Sequence, residues 1–220
     1  GLVGSEMCIR DRPIGNWDVS NVRNMTYMFS KAELFNQDIS NWNVSNVTDM
    51  SYMFAGAESF NQSIGNWNVS FVTNMKYMFY EAKSFNQPIN NWYVSNVTDM
   101  SYMFSSAYLF NQPINNWDVS NVTDMDSMFS NASSFNQPIN TEEITKDDGT
   151  TYIAWNVSNV KNMRYMFREA YLFNQAINNW DVSNVTDMDS MFKGVESFNQ
   201  SIACWNVSNV TNMKSMFYEA

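Results

Sequence analysis

The chain has 220 residues, 22 acidic against 12 basic side chains for a net charge of −10, no histidine and two cysteines. That balance, without a basic cluster, argues against nucleic acid and anionic membrane surfaces as partners, and the lack of histidine removes imidazole catalysis and imidazole metal ligation. No apolar run approaches the ~20 residues of a spanning helix, so no membrane insertion is expected within the chain.

Residues 1–12, GLVGSEMCIRDR, carry none of the pattern that follows and resemble a translated sequencing adapter, with Met7 to Arg12 reading a transposon-end sequence. Such a segment is set aside before fold reasoning. On this reading the chain is a metagenomic fragment: one array, 13–220, entered mid-coil at Pro13, ending mid-helix at Ala220 and uncapped at both ends.

From Pro13 onward the tryptophans set a register. Trp17, Trp42, Trp67, Trp92 and Trp117 lie 25 residues apart, as do Trp155, Trp180 and Trp205, and one interval of 38 separates the two groups. Behind each runs W-x-V-S-N-V-x-[ND]-M-x-x-M-F-x-x-A-x-x-F-N-Q-x-I, with Phe71 replacing an Asn, Val195 replacing the Ala, and Tyr93 standing where other copies have Asp or Asn. Sixteen of 17 Met and 15 of 16 Phe occupy fixed slots, so the apolar residues serve packing between copies.

Within a copy, Met100, Met103, Phe104 and Ala107 fall at i, i+3, i+4 and i+7, which predicts about two turns of amphipathic helix behind a Thr98-Asp99 cap. The stretch Phe110 to Ile114 alternates and predicts a short strand. So short a helix is unstable alone, and the expected fold is therefore an α/β repeat solenoid of about eight coils, each burying its apolar side against the next. Asn36, Asn61, Asn86, Asn111, Asn136, Asn174 and Asn199 recur after Phe. They are expected to stack as a structural ladder, each amide bonding its own turn and the next Asn.

The long interval carries thirteen added residues, Thr141 to Ile153, read as a hairpin with Asp148-Gly149 as a two-residue primed turn. Insertions in repeats map to one face, often the binding one. The acidic residues here, Glu142, Glu143, Asp147 and Asp148, lack the spacing of a calcium loop, and Cys204 occupies a drifted Asn slot, so neither metal nor cofactor is expected. Asp18, Asp118 and Asp181, and Asp49, Asp99, Asp124 and Asp187, interchange with Asn from copy to copy. That fits caps or solvated positions and excludes a catalytic pair, and no nucleophile elbow or phosphate loop is present. The chain is expected not to be an enzyme.

The positions free to vary point outward. Among them Tyr27, Tyr52, Tyr77, Tyr102 and Tyr165 form a broken column, which offers contact area and hydroxyls at small entropic cost and also covers the edge of the Met-rich core. With Asp148 and Gly149 of the insertion they are the candidate partner-binding residues. The repeat string resembles the repeats of BspA-type leucine-rich-repeat surface proteins, including those of mycoplasma surface lipoproteins, over 13–220 outside the insertion. That resemblance implies a leucine-rich-repeat-like coil, a bacterial cell-surface or secreted location, and adhesion to protein or glycan partners, with no catalytic residues to carry over. A structural scaffold array, or the targeting arm of a larger multidomain protein, stands as the alternative.

Overall fold

A computed structural model describes residues 13–220; the segment read as adapter-derived lies outside them. The copies stack with one Asp or Asn from each joined in a ladder of single parallel bridges: Asn24, Asp49, Asn74, Asp99, Asp124, Asn162, Asp187 and Asn212. The column is one residue wide in every copy. Among the described residues the only strands are β1 (Glu142–Thr145) and β2 (Thr151–Ala154), paired antiparallel in the insertion, and there is no helix. The expectation of an α/β, leucine-rich-repeat-like architecture is therefore wrong.

The hydrogen bonds give the reason. A helix would send each N–H to the carbonyl four residues back. Here Met100, Tyr102, Phe104 and Ser106 donate to Asp124, Asp126, Met128 and Ser130 of the next copy, while Met103, Ser105 and Ala107 donate three residues back to Met100, Tyr102 and Phe104. The backbone is a run of tight turns, each opening every second N–H toward its neighbour. Tyr102 and Ser106 both have φ 59°, and the equivalent positions recur with positive φ from copy to copy. Left-handed residues at four-residue intervals forbid a helix, yet a four-residue turn period lies close to the helical 3.6 and puts the same side chains inward.

The expected strand fails for a related reason. The N–H of Asn111 goes to the side-chain oxygen of Asn86 (3.0 Å), and Pro113 has no N–H to give. Side chains therefore replace the backbone ladder along Phe110 to Ile114.

Left-handed backbone costs an L-residue roughly 1–2 kcal/mol. Gly56 (φ 73°) and Gly194 (φ 71°) relieve that cost where other copies place Ser106 or Glu81. Ser106→Gly is expected to stabilise the array by about 1 kcal/mol, and Gly56→Ala to destabilise it by about the same. A Cβ on Gly56 would meet nothing closer than 3.5 Å, so the effect is conformational; urea denaturation of the two variants checks both signs.

The core is one continuous cluster running the length of the stack, with Trp, Val, Met, Phe, Ala and Ile of the interior copies fully or nearly fully buried. Equivalent Phe rings stack from copy to copy, as at Phe79–Phe104 (5.5 Å) and Phe104–Phe129 (5.7 Å). Each buried indole spends its N–H on the neighbouring copy: Trp117 Nε1 donates to the Ile89 carbonyl (3.3 Å).

The insertion is tied down at its base by Thr141, whose hydroxyl donates to the Trp155 carbonyl (2.8 Å). Its tip differs from the expected two-residue turn. Lys146 N–H donates to the Thr150 carbonyl and Gly149 N–H to the Lys146 carbonyl, with Gly149 at φ 81°. This is a three-residue loop, Asp147 to Gly149, whose last residue sits left-handed, the next commonest hairpin connection.

Candidate functional site

Four of the five column tyrosines come together. Tyr27, Tyr52, Tyr77 and Tyr102 stack face to face at 4.4, 4.5 and 4.3 Å between successive ring centroids. Ser127 occupies the next rung, so Tyr165 stands apart, covered by the guanidinium groups of Arg164 (4.5 Å) and Arg168 (5.5 Å). Tyr27 is 56 % exposed and the others are half-buried. Burial, followed by the neighbouring phenols Tyr102 and Tyr52, holds the Tyr77 hydroxyl well above the usual tyrosine range. Beside it Tyr80 is pushed up to about 12, first by its hydrogen bond to Glu81 and then by burial. The column is thus a row of hydroxyls on an aromatic stack.

The Asn ladder lies on another column and works as an acceptor row. Asn61 N–H donates to Asn36 Oδ1 (2.9 Å), and Gln62 Nε2 donates to the same oxygen (3.0 Å); the arrangement recurs through Asn86, Asn111, Asn136 and Asn174 to Asn199 and Gln200. Each amide oxygen serves the next copy rather than its own turn. The sequence repeats the Gln as faithfully as the Asn, and that was the signal for the second partner.

The Asp/Asn interchange also has a physical account. At the position after Trp, the side-chain oxygen accepts the N–H two residues on, from Asp18 to Ser20 through Asn206 to Ser208, in every copy except that of Tyr93. Asp and Asn both present that oxygen, so either closes the turn; the expected helix caps are turn closures instead. At Asp18 and Asp181 the Ser hydroxyl and N–H hold the carboxyl below its ordinary value.

Asp126 is the reverse case. Burial raises its pKa, outweighing the hydrogen bond from Ser127, so ionising it disfavours the folded state. Stability from this group is present at low pH and is lost as pH rises from the unfolded value through the folded one. Asp126→Asn is expected to flatten that decline, read as Tm against pH between about 3 and 6.

Asp148 and Gly149 sit fully exposed at the hairpin tip. The hairpin's contacts run elsewhere: Tyr152 OH donates to the Asn116 carbonyl (2.5 Å) and Lys146 Nζ lies 5.3 Å from the Tyr152 ring centre. Those contacts place it against the tryptophan-side turns. Two openings lie there that periodicity gave no reason to expect, a shallow cleft of roughly 490 Å³ between the third and fourth copies and a recess of roughly 40 Å³ under the hairpin.

The family model described as Mycoplasma protein of unknown function, DUF285, matches residues 5–107, 62–153 and 146–220. The chain belongs to that family. Its three matches overlap, as expected where one repeat unit fits in several registers, and the second and third both run into the inserted hairpin. The chain is thus a repeat protein of a mycoplasma-type family; the family's description carries no leucine-rich-repeat assignment, and the turn-built copies argue against one. No curated protein and no solved structure matches it. Among the described residues no helix is long and apolar enough to cross a membrane, and no group of three or more acidic or thiol side chains is placed to hold a metal ion.

Proposed function

We propose that this mycoplasma-type repeat protein is a non-catalytic binding module, displayed at the cell surface, that adheres to protein or glycan partners through its exposed columns. The stacked tyrosines Tyr27, Tyr52, Tyr77 and Tyr102 carry the reading. They present a continuous strip of stacked ring edges carrying hydroxyls, the residue type enriched where proteins meet partners. A lipid-anchored surface location belongs to the same proposal and draws on the family and on the likeness of the repeat string to mycoplasma surface lipoproteins.

The test replaces the four tyrosines by serine, the residue that Ser127, Ser190 and Ser215 already place at this left-handed position. The variant is expected to keep its cooperative unfolding and to lose saturable binding to immobilised host-cell surface. Binding equal to that of the unaltered protein would remove the column from the proposal.

A further inference from the structure

In an array where stacking fixes nearly every position, departures that gather in one place stand out. Three do. Tyr93, 67 % exposed, replaces the Asp or Asn that closes a turn on the Ser N–H two residues on in the seven other copies, and so gives up that hydrogen bond at Ser95. Phe71, 61 % exposed, replaces an Asn whose equivalents, such as Asn46 and Asn96, donate to a Ser carbonyl of the preceding copy. The third is the hairpin. Tyr93 lines the open cleft together with Gly65, Asn66, Asn68, Ser70 and Asn91, and Phe71 directly follows Ser70. Tyr93 also lines the recess roofed by Lys146 and Tyr152 of the hairpin. The lost hydrogen bond and exposed ring of Tyr93 and the inserted hairpin thus meet at one groove, with Phe71 one residue along the chain from its Ser70 wall.

The geometry points to a neutral oligosaccharide as the ligand of this groove, with Tyr93 as its stacking platform. The open cleft offers an exposed ring and three amides and no charged side chain, and the adjoining recess holds one acidic and one basic side chain, Asp118 and Lys146, whose charges offset. A sugar ring presents an apolar C–H face to an aromatic plane and, around its edge, hydroxyls that both donate and accept; Asn amides do the same in return. The recess, lined in part by Asn116, has room for about one hydroxyl; the Asn116 Oδ1 atom itself is buried, without a hydrogen-bond partner among the described residues. An extended peptide would take most of its affinity from a free strand edge or from pockets for alternate side chains, and the cleft, made of turns, is shallow and has neither. This site is separate from the tyrosine column and stands or falls independently of it.

The experiment titrates the protein with cello-, chito-, malto- and xylohexaose by calorimetry, alongside a random heptapeptide library as the competing class. The decisive variant is Tyr93→Asn. Asn43, Asn68, Asn156 and Asn206 occupy this position elsewhere and close the turn, so the variant is expected to fold with an equal or higher Tm while its Kd for the bound hexaose rises about tenfold or more. Excising 141–153 to restore the 25-residue spacing is expected to weaken the same hexaose, whereas serine at the four column tyrosines leaves it unchanged. No binding by any hexaose, a Kd unmoved by Tyr93→Asn, or peptide binding alone that is lost with Tyr93 would overturn the proposal.

Discussion

Phe104→Ala is expected to cost about 3–5 kcal/mol, the range for deleting a fully buried aromatic side chain and leaving a cavity. Phe104 has no exposed surface and touches rings on every side: Phe110 of its own copy at 4.0 Å, Phe79 and Phe129 of the flanking copies at 5.5 and 5.7 Å, and Trp117 at 6.3 Å. The loss therefore falls on two copy-to-copy interfaces at once. Because each copy contacts only its neighbours, stability is close to a sum of such interfaces, and weakening two of them mid-array divides the cooperative unit. Hydrogen exchange should show protection collapsing in the third to fifth copies while the seventh keeps its own. Phe217, already 49 % exposed, gives the contrast; Phe217→Ala should cost about 1 kcal/mol. Protection lowered by the same amount in every copy of the Phe104→Ala variant would mean the array unfolds as a single unit.

That same core shows what the sequence could and could not disclose. The periodic Trp, Met and Phe set the stacking register correctly, because burial depends on which side chains recur and hardly on the path between them. The path itself was misread at Met100, Met103, Phe104 and Ala107, since a run of four-residue turns and a helix put the same side chains inward. What separates them is the sign of φ at Tyr102 and Ser106, and neither residue type advertises a left-handed conformation. Gly56 and Gly194 did carry that information, two glycines at one slot of the repeat, each closing a turn. The groove beside Tyr93 was legible only as a scatter of exceptions. Periodicity places like residues on like columns, but says nothing about where an insertion of thirteen residues folds back, so the meeting of Tyr93 with Lys146 and Tyr152 needed the structure.

The Asn ladder is where side-chain chemistry replaces backbone pairing, and Asn111→Leu is expected to cost about 1–3 kcal/mol, since it leaves half-buried donors unpaired. Asn111 Oδ1 takes the N–H of Asn136 (3.0 Å) and the Nε2 of Gln137 (3.0 Å), and leucine offers neither an acceptor. The role of the oxygen is separable from that of the NH2 group. Asn111→Asp keeps the acceptor oxygen and exchanges the NH2 donor for a second oxygen, so near neutral pH it should hold most of the stability that leucine forfeits. The two N–H donors would stabilise the introduced carboxylate and lower its folded-state pKa. Its contribution would then be present above the unfolded carboxylate value, about 3.9, and be lost as pH falls through the folded one. Urea titrations of the two variants across pH 2 to 7 thus read the ladder directly: an aspartate variant as weak as the leucine variant at pH 7 would show that the amide NH2, not the oxygen, carries the column.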